Sequence, residues 1–78
     1  MKNTRHIMAR IESHFDSMTD LEKRIANYFL NPSSIYDDLS SQKVAQTLFI
    51  SQAALTRFAK KCGFKGYREF NFQYIHQL

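Results

Sequence analysis

Residues 40–66, SSQKVAQTLFISQAALTRFAKKCGFKG, hold the pattern on which the fold turns. Two helical runs lie here, joined by a turn so short that the helices must cross at a steep angle. Val44, Ala45 and Leu48 follow helical spacing in the first run, and Ile50 fills the turn. Leu55, Phe58, Ala59 and Cys62 form one apolar face of the second run at i, i+3, i+4 and i+7. Ser40 and Ser51 stand just before the two runs, where a hydroxyl can accept a hydrogen bond from a first-turn N–H that has no helical partner. Ala45 falls at the crossing, where a larger side chain would hold the helices apart. The stretch reads as a helix-turn-helix followed by a basic segment carrying two glycines, Gly63 and Gly66.

The turn itself departs from the usual pattern. Phe49 occupies the position where positive φ is expected and glycine costs least, so the sequence predicts either a strained turn or one of slightly different shape, with an aromatic ring available for packing. Gly63 suits the left-handed residue that closes the second helix, with Phe64 folding back over it.

A purely structural hairpin would leave the outer face of the second helix unspecified. Instead that face carries Gln52, Thr56, Arg57, Lys60 and Lys61, side chains that hydrogen-bond base edges or neutralise phosphates. Ser51, Gln52, Ala53, Thr56 and Arg57 are therefore expected to enter a DNA major groove: Gln52 on an adenine edge, Arg57 on a guanine or a phosphate, Ala53 against a thymine methyl. Ser40, Lys60, Lys61, Lys65, Gly66, Tyr67 and Arg68 are expected to hold the DNA backbone, the last four beside a helix N-terminus.

Charge distribution points the same way. The net charge of +4 is unevenly placed: residues 1–40 hold five Lys/Arg against six Asp/Glu, residues 41–78 six against one. The excess positive charge sits in the half with the motif, where it suits a phosphate backbone.

At 78 residues the chain is one small domain, 1–78, with a modest core. Hydrophobic residues at 44% argue against disorder, and two Gly with one Pro argue against a turn-rich β-domain. The expected fold class is all-α, a small bundle of about five helices. One cysteine permits no internal disulfide, no Cys/His cluster has metal-ligand spacing, and no cofactor is expected. The N-terminus lacks the continuous apolar segment of a signal peptide and no run is long enough to span a membrane, so a cytoplasmic location is expected.

Taken in order, residues 4–16 predict a first helix with Ile7, Met8, Ile11 and Phe15 inward and Arg5, Arg10 and Glu12 outward. His6 and His14 lack companion ligands. Thr19-Asp20-Leu21-Glu22 is a capping box opening a second helix, whose apolar face is Leu21, Ile25, Tyr28 and Phe29 with Ala26 beside them; Met18 is placed to enter the core. Asn31-Pro32 ends that helix. A further helical turn is expected over 33–39 with Ile35, Tyr36 and Leu39 inward and the Asp37-Asp38 pair in water; no third ligand makes it a metal site. The last stretch, YREFNFQYIHQL, fits both periods. A lone strand has nothing to pair with, so a helix is predicted on Tyr67, Phe70, Tyr74 and Leu78, leaving Phe72 exposed.

These residues together resemble the N-terminal helix-turn-helix domain of the RpiR family of bacterial transcription regulators. The resemblance covers nearly the whole chain and rests on Leu21-Glu22-Lys23 with Ile25-Ala26 and Tyr28 before Asn31-Pro32, on Val44-Ala45, and on Ile50-Ser51 with Ala53, Leu55 and Arg57-Phe58. It rests also on Lys61, Gly63-Phe64-Lys65-Gly66-Tyr67 and Glu69-Phe70. Phe49 and Cys62 depart from a usual glycine and a common leucine. The resemblance implies a tri-helical or winged-helix-like DNA-binding fold, with a sugar isomerase-type domain that binds a phosphosugar effector expected after it. That domain is absent here, so an excised domain or a truncated gene product is expected, and the end of the sequence inside an amphipathic helix favours excision. The expected function is sequence-specific binding of double-stranded DNA by a transcriptional regulator of sugar or phosphosugar metabolism, a homodimer at full length. The alternative is a helical protein-interaction module working through the aromatic C-terminal segment. No nucleophile stands beside a base and no strand-preceded phosphate loop exists, so catalysis is not expected.

Overall fold

Three helices begin where a short polar side chain takes up a free N–H. The computed structural model describes residues 6–31, 33 and 37–77. It contains α1 (His6–His14), a 3₁₀ turn (Phe15–Ser17), α2 (Asp20–Leu30), α3 (Ser41–Leu48), α4 (Gln52–Lys61) and α5 (Tyr67–Gln77). Thr19 Oγ1 accepts from Glu22 N while the Glu22 carboxylate accepts from Thr19 N at 2.9 Å, the expected capping box. Ser40 Oγ accepts from Lys43 N and Ser51 Oγ from Ala54 N, opening α3 and α4. The described residues include no strand, so the all-helical bundle is found and the winged form is not.

α3 and α4 also close alike. Phe49 takes the left-handed conformation, φ 59° and ψ 47°. Its N–H donates to Gln46 O, and that of Ile50 donates to Ala45 O. Gly63 at φ 95° repeats the arrangement, its N–H donating to Lys60 O and that of Phe64 to Ala59 O. Both are Schellman closures, which satisfy the last carbonyls of a helix. Of the two alternatives for Phe49, the strained turn is the one realised, and the ring is 90% exposed rather than packed.

Packing centres on Phe29 of α2. Its ring lies 4.9 Å from Phe70 and 5.1 Å from Tyr74, both nearly perpendicular, and 5.9 Å from Phe58 in a stacked pair. Tyr74 Oη donates to Phe29 O at 2.6 Å. These contacts tie α2, α4 and α5 together and resolve the ambiguous last stretch as helix. Ile7, Ile11, Ile25, Ala26, Val44, Leu55, Ala59 and Cys62 complete the core, and Ala45 is buried at the helix crossing as expected. Met18 is in the core as expected, and Lys23 lies over the Phe15 ring, 5.3 Å from its centroid.

Some expectations are corrected. Phe15 belongs to the 3₁₀ turn, because α1 ends at His14. Arg10 is not a solvent-facing charge: its guanidinium lies 4.2 Å over the Phe64 ring and donates to Gly63 O at 3.2 Å, clamping the end of α4. Asp37 and Asp38 are exposed but not merely solvated. Tyr28 Oη donates to Asp37 at 2.7 Å, and Ser40 N donates to Asp38, which lowers the Asp38 pKa. Leu39 is buried as expected. The placements expected for Arg5, Pro32, Ile35, Tyr36 and Leu78 lie outside the described residues.

Two outcomes follow. Gly63→Ala is expected to cost about 1–3 kcal/mol, because a residue with Cβ is strained in this conformation and the methyl would stand 2.6 Å from an Arg10 nitrogen. Urea unfolding measures this, and an unchanged midpoint would contradict it. Burial pushes the Cys62 thiol up to about 11 despite the nearby Arg10 charge. At pH 8 a disulfide reagent should modify it only after urea is added; labelling of the folded chain at the unfolded rate would refute the placement.

Candidate nucleic-acid interface

An α-helix carries partial positive charge and unpaired N–H groups at its N-terminus. Here three such ends meet. Ser41 is the first residue of α3, Gln52 of α4 and Tyr67 of α5. All three line one groove of about 470 Å³, with Thr56, Gly66, Arg68 and Asn71 completing it. Among the described residues, no carboxylate lines that groove. Glu69 lies nearby, accepting from Lys65 N at 2.8 Å just before α5.

α4 separates its two faces cleanly. Ala54, Leu55, Phe58 and Ala59 are buried, whereas Gln52, Ala53, Arg57 and Lys60 are exposed and Thr56 half-exposed. The structure thus gathers Ser51, Gln52, Ala53, Thr56 and Arg57 on one outward surface, with Lys60 one turn further on. Gln52 is held in place: Ser41 Oγ donates to its Oε1 at 2.9 Å. With the oxygen so engaged, the amide still offers its two N–H donors. Ser40 and Ser51 each use their oxygen as an acceptor within a cap; the Ser40 hydroxyl is also engaged with the Asp38 carboxylate.

The expected backbone-holding residues divide. Arg68, Gly66 and Lys65 stand at the start of α5, with Arg68 and Lys65 exposed. A Cβ on Gly66 would meet nothing within 4 Å, so the chain's own packing does not demand glycine there. Lys61 is turned to the flank of α4 and its Nζ donates to Ser17 O at 3.3 Å, away from the groove. The Tyr67 ring is buried at 7% exposure, and its hydroxyl donates to Leu39 O at 2.6 Å. Burial also raises the pKa of that hydroxyl. Only its first-turn amide remains for an anion; the side chain is a structural strut.

Sequence reasoning missed Ser41 and Arg24. Ser41 and Gln52 are eleven residues apart, a spacing with no periodic meaning, and only the crossing of α3 and α4 joins them. Arg24 donates to Leu48 O at 2.7 Å, placing a cation on the last turn of α3 where the helix dipole is negative.

Comparison with known proteins adds to this geometry. The sequence model of a family described as "Helix-turn-helix domain, rpiR family" matches residues 5–78. An uncharacterised HTH-type transcriptional regulator of Haemophilus influenzae is 32% identical over 78 residues, covering 100% of this chain and 27% of its own length. The uncharacterised HTH-type transcriptional regulator YfhH of Escherichia coli is 32% identical over 60 residues, 77% of this chain and 21% of its own. The HTH-type transcriptional regulator GlvR of Bacillus subtilis is likewise 32% identical over 60 residues, 77% of this chain and 24% of its own. The chain spans about a quarter of the length of these relatives.

The division between Tyr67 and its neighbours has a direct check. Tyr67→Phe should cost about 1–3 kcal/mol in urea unfolding, because Leu39 O loses its buried donor. Nucleic-acid affinity, measured well below the melting temperature, should stay at the wild-type value. A loss of affinity in a fully folded variant would return the hydroxyl to the interface.

Proposed function

We propose that this chain, which belongs to the rpiR family of helix-turn-helix domains, binds double-stranded DNA sequence-specifically with α4 in the major groove. The observation that carries the reading is the convergence of the α3, α4 and α5 N-termini on one carboxylate-free groove beside the outward face of α4. Backbone N–H groups and Arg68 would take a phosphate there, fixing the register in which α4 meets the bases. Arg57 and Gln52 then read base edges, and Ala53 offers a methyl to thymine. Because Ser41 holds the Gln52 oxygen, Gln52 acts chiefly as a donor, toward acceptors such as guanine O6 and N7 or adenine N7.

The wider reading follows the family resemblance. The domain works at the N-terminus of a cytoplasmic transcriptional regulator of sugar or phosphosugar metabolism, ahead of a sugar isomerase-type domain that binds the effector and completes a homodimer. It needs no cofactor and performs no catalysis. One observation favours a second reading, a protein-interaction module: Phe72 and Ile75 of α5 are 58% and 47% exposed. Salt separates the two, since DNA binding weakens steeply as salt rises and aromatic docking does not.

Arg57→Ala should cost about 1–3 kcal/mol against the preferred duplex and flatten its preference over scrambled DNA. Lys60→Ala and Arg68→Ala should each reduce the slope of log affinity against log salt by about 1, whereas Lys61→Ala should leave it unchanged. Fluorescence anisotropy at several salt concentrations measures both. An Arg57→Ala variant with wild-type affinity and preference would defeat the assignment of α4 as the reading helix.

A further inference from the structure

We propose that Phe49 is a DNA contact of this chain, its ring meeting the apolar C–H surface of the duplex beside the bases that α4 reads. The inference rests on the DNA-binding reading above and on two independent observations. Phe49 is the only non-glycine with positive φ among the described residues, and its ring, 90% exposed, is the most exposed of their large hydrophobic side chains.

Each observation alone costs the fold something. A bulky residue in the left-handed region is strained, and glycine would relieve that strain. An exposed ring contributes little packing in return. The surrounding bonds hold the strained residue firmly in place: Arg24 donates to Leu48 O at 2.7 Å, Ile50 N to Ala45 O at 3.0 Å and Phe49 N to Gln46 O at 3.3 Å. The left-handed backbone closes α3, but glycine would close it without strain and the exposed ring serves no internal contact, so a strained residue kept there is a mark of function.

Position identifies the occupant. Phe49 stands two residues before the Ser51 cap of α4 and shares an open groove of about 700 Å³ with Gln42, Ala45, Gln46, Ile50, Ser51 and Gln52. Gln52 lines both that groove and the one where three helix N-termini meet. An exposed ring among amide, hydroxyl and aliphatic groups suits a surface that alternates apolar and polar groups. A duplex offers such a surface in its thymine methyls, deoxyribose carbons and phosphates.

The test uses the opposite signs that the proposal assigns to stability and binding. A pool of double-stranded DNA with a random central segment is enriched on the wild-type chain, and the enriched duplex is measured against wild type, Phe49→Gly and Phe49→Ala. Phe49→Gly should melt about 4–8 °C higher and bind about fivefold or more weakly. Phe49→Ala should show the same loss of affinity without the full gain in stability. Replacing thymine by deoxyuridine in the probe then separates the two apolar sources: a loss confined to proteins with the ring points to the methyl, and no loss points to deoxyribose. A Phe49→Gly chain that melts higher yet binds as tightly as wild type overturns the role of Phe49 alone. Failure of wild type to bind any duplex at low salt overturns the DNA reading and this proposal with it.

Discussion

The Phe29 ring is the point where α2, α4 and α5 meet, and the placement of α4 against α5 depends on it. Phe58 packs beneath it from α4, and Phe70 and Tyr74 pack edge-on from α5. The Tyr74 hydroxyl then secures the backbone of the same residue. Fixing α5 against α4 in this way brings the start of α5 beside the start of α4. Without that constraint Gly66, Arg68 and Gln52 would not share a groove. Aromatic pairs of this geometry contribute about 0.5–1.5 kcal/mol each beyond their buried area, a large share of the stability of so small a domain.

The surface chemistry follows from helix ends more than from side-chain charge. Three N-termini supply donors and partial positive charge whose position the backbone sets, so they need little reordering when an anion arrives. Side-chain cations are arranged around this fixed centre, with Arg57 and Lys60 on α4 and Arg68 on α5. The fold also spends some cations on itself. Arg10 and Lys61 bind backbone carbonyls of other segments, and Arg24 steadies the last turn of α3. Formal charge counts therefore overstate the number of groups that face a ligand.

Much of this was legible in the sequence because it is local. The Thr19 box, the Ser40 and Ser51 caps, the left-handed Gly63 and Phe49, and the buried stripe of α4 all arise from residues within one or two turns of each other. What was not legible depends on how helices cross. Arg10 finds Gly63 across 53 residues, and Tyr67 turns its hydroxyl inward to a carbonyl 28 residues earlier. Periodicity assigns a long or amphipathic side chain to a face but not to a partner. The last helix was ambiguous for the same reason: Phe72 and Ile75 remain exposed on it, which blurs the amphipathic pattern that burial of Tyr67, Phe70 and Tyr74 would otherwise produce.

The two faces of α4 share no residue, and this has an evolutionary side. Ala54, Leu55, Phe58 and Ala59 hold the helix down, while Ala53, Arg57 and Lys60 touch nothing the core needs. Substitutions on such a surface change stability by no more than about 0.5 kcal/mol. After a gene duplication, one copy can therefore drift through new outward-facing residues with each intermediate still folded. Lineages can diversify the outer chemistry of the helix while inheriting the same packed interior unchanged.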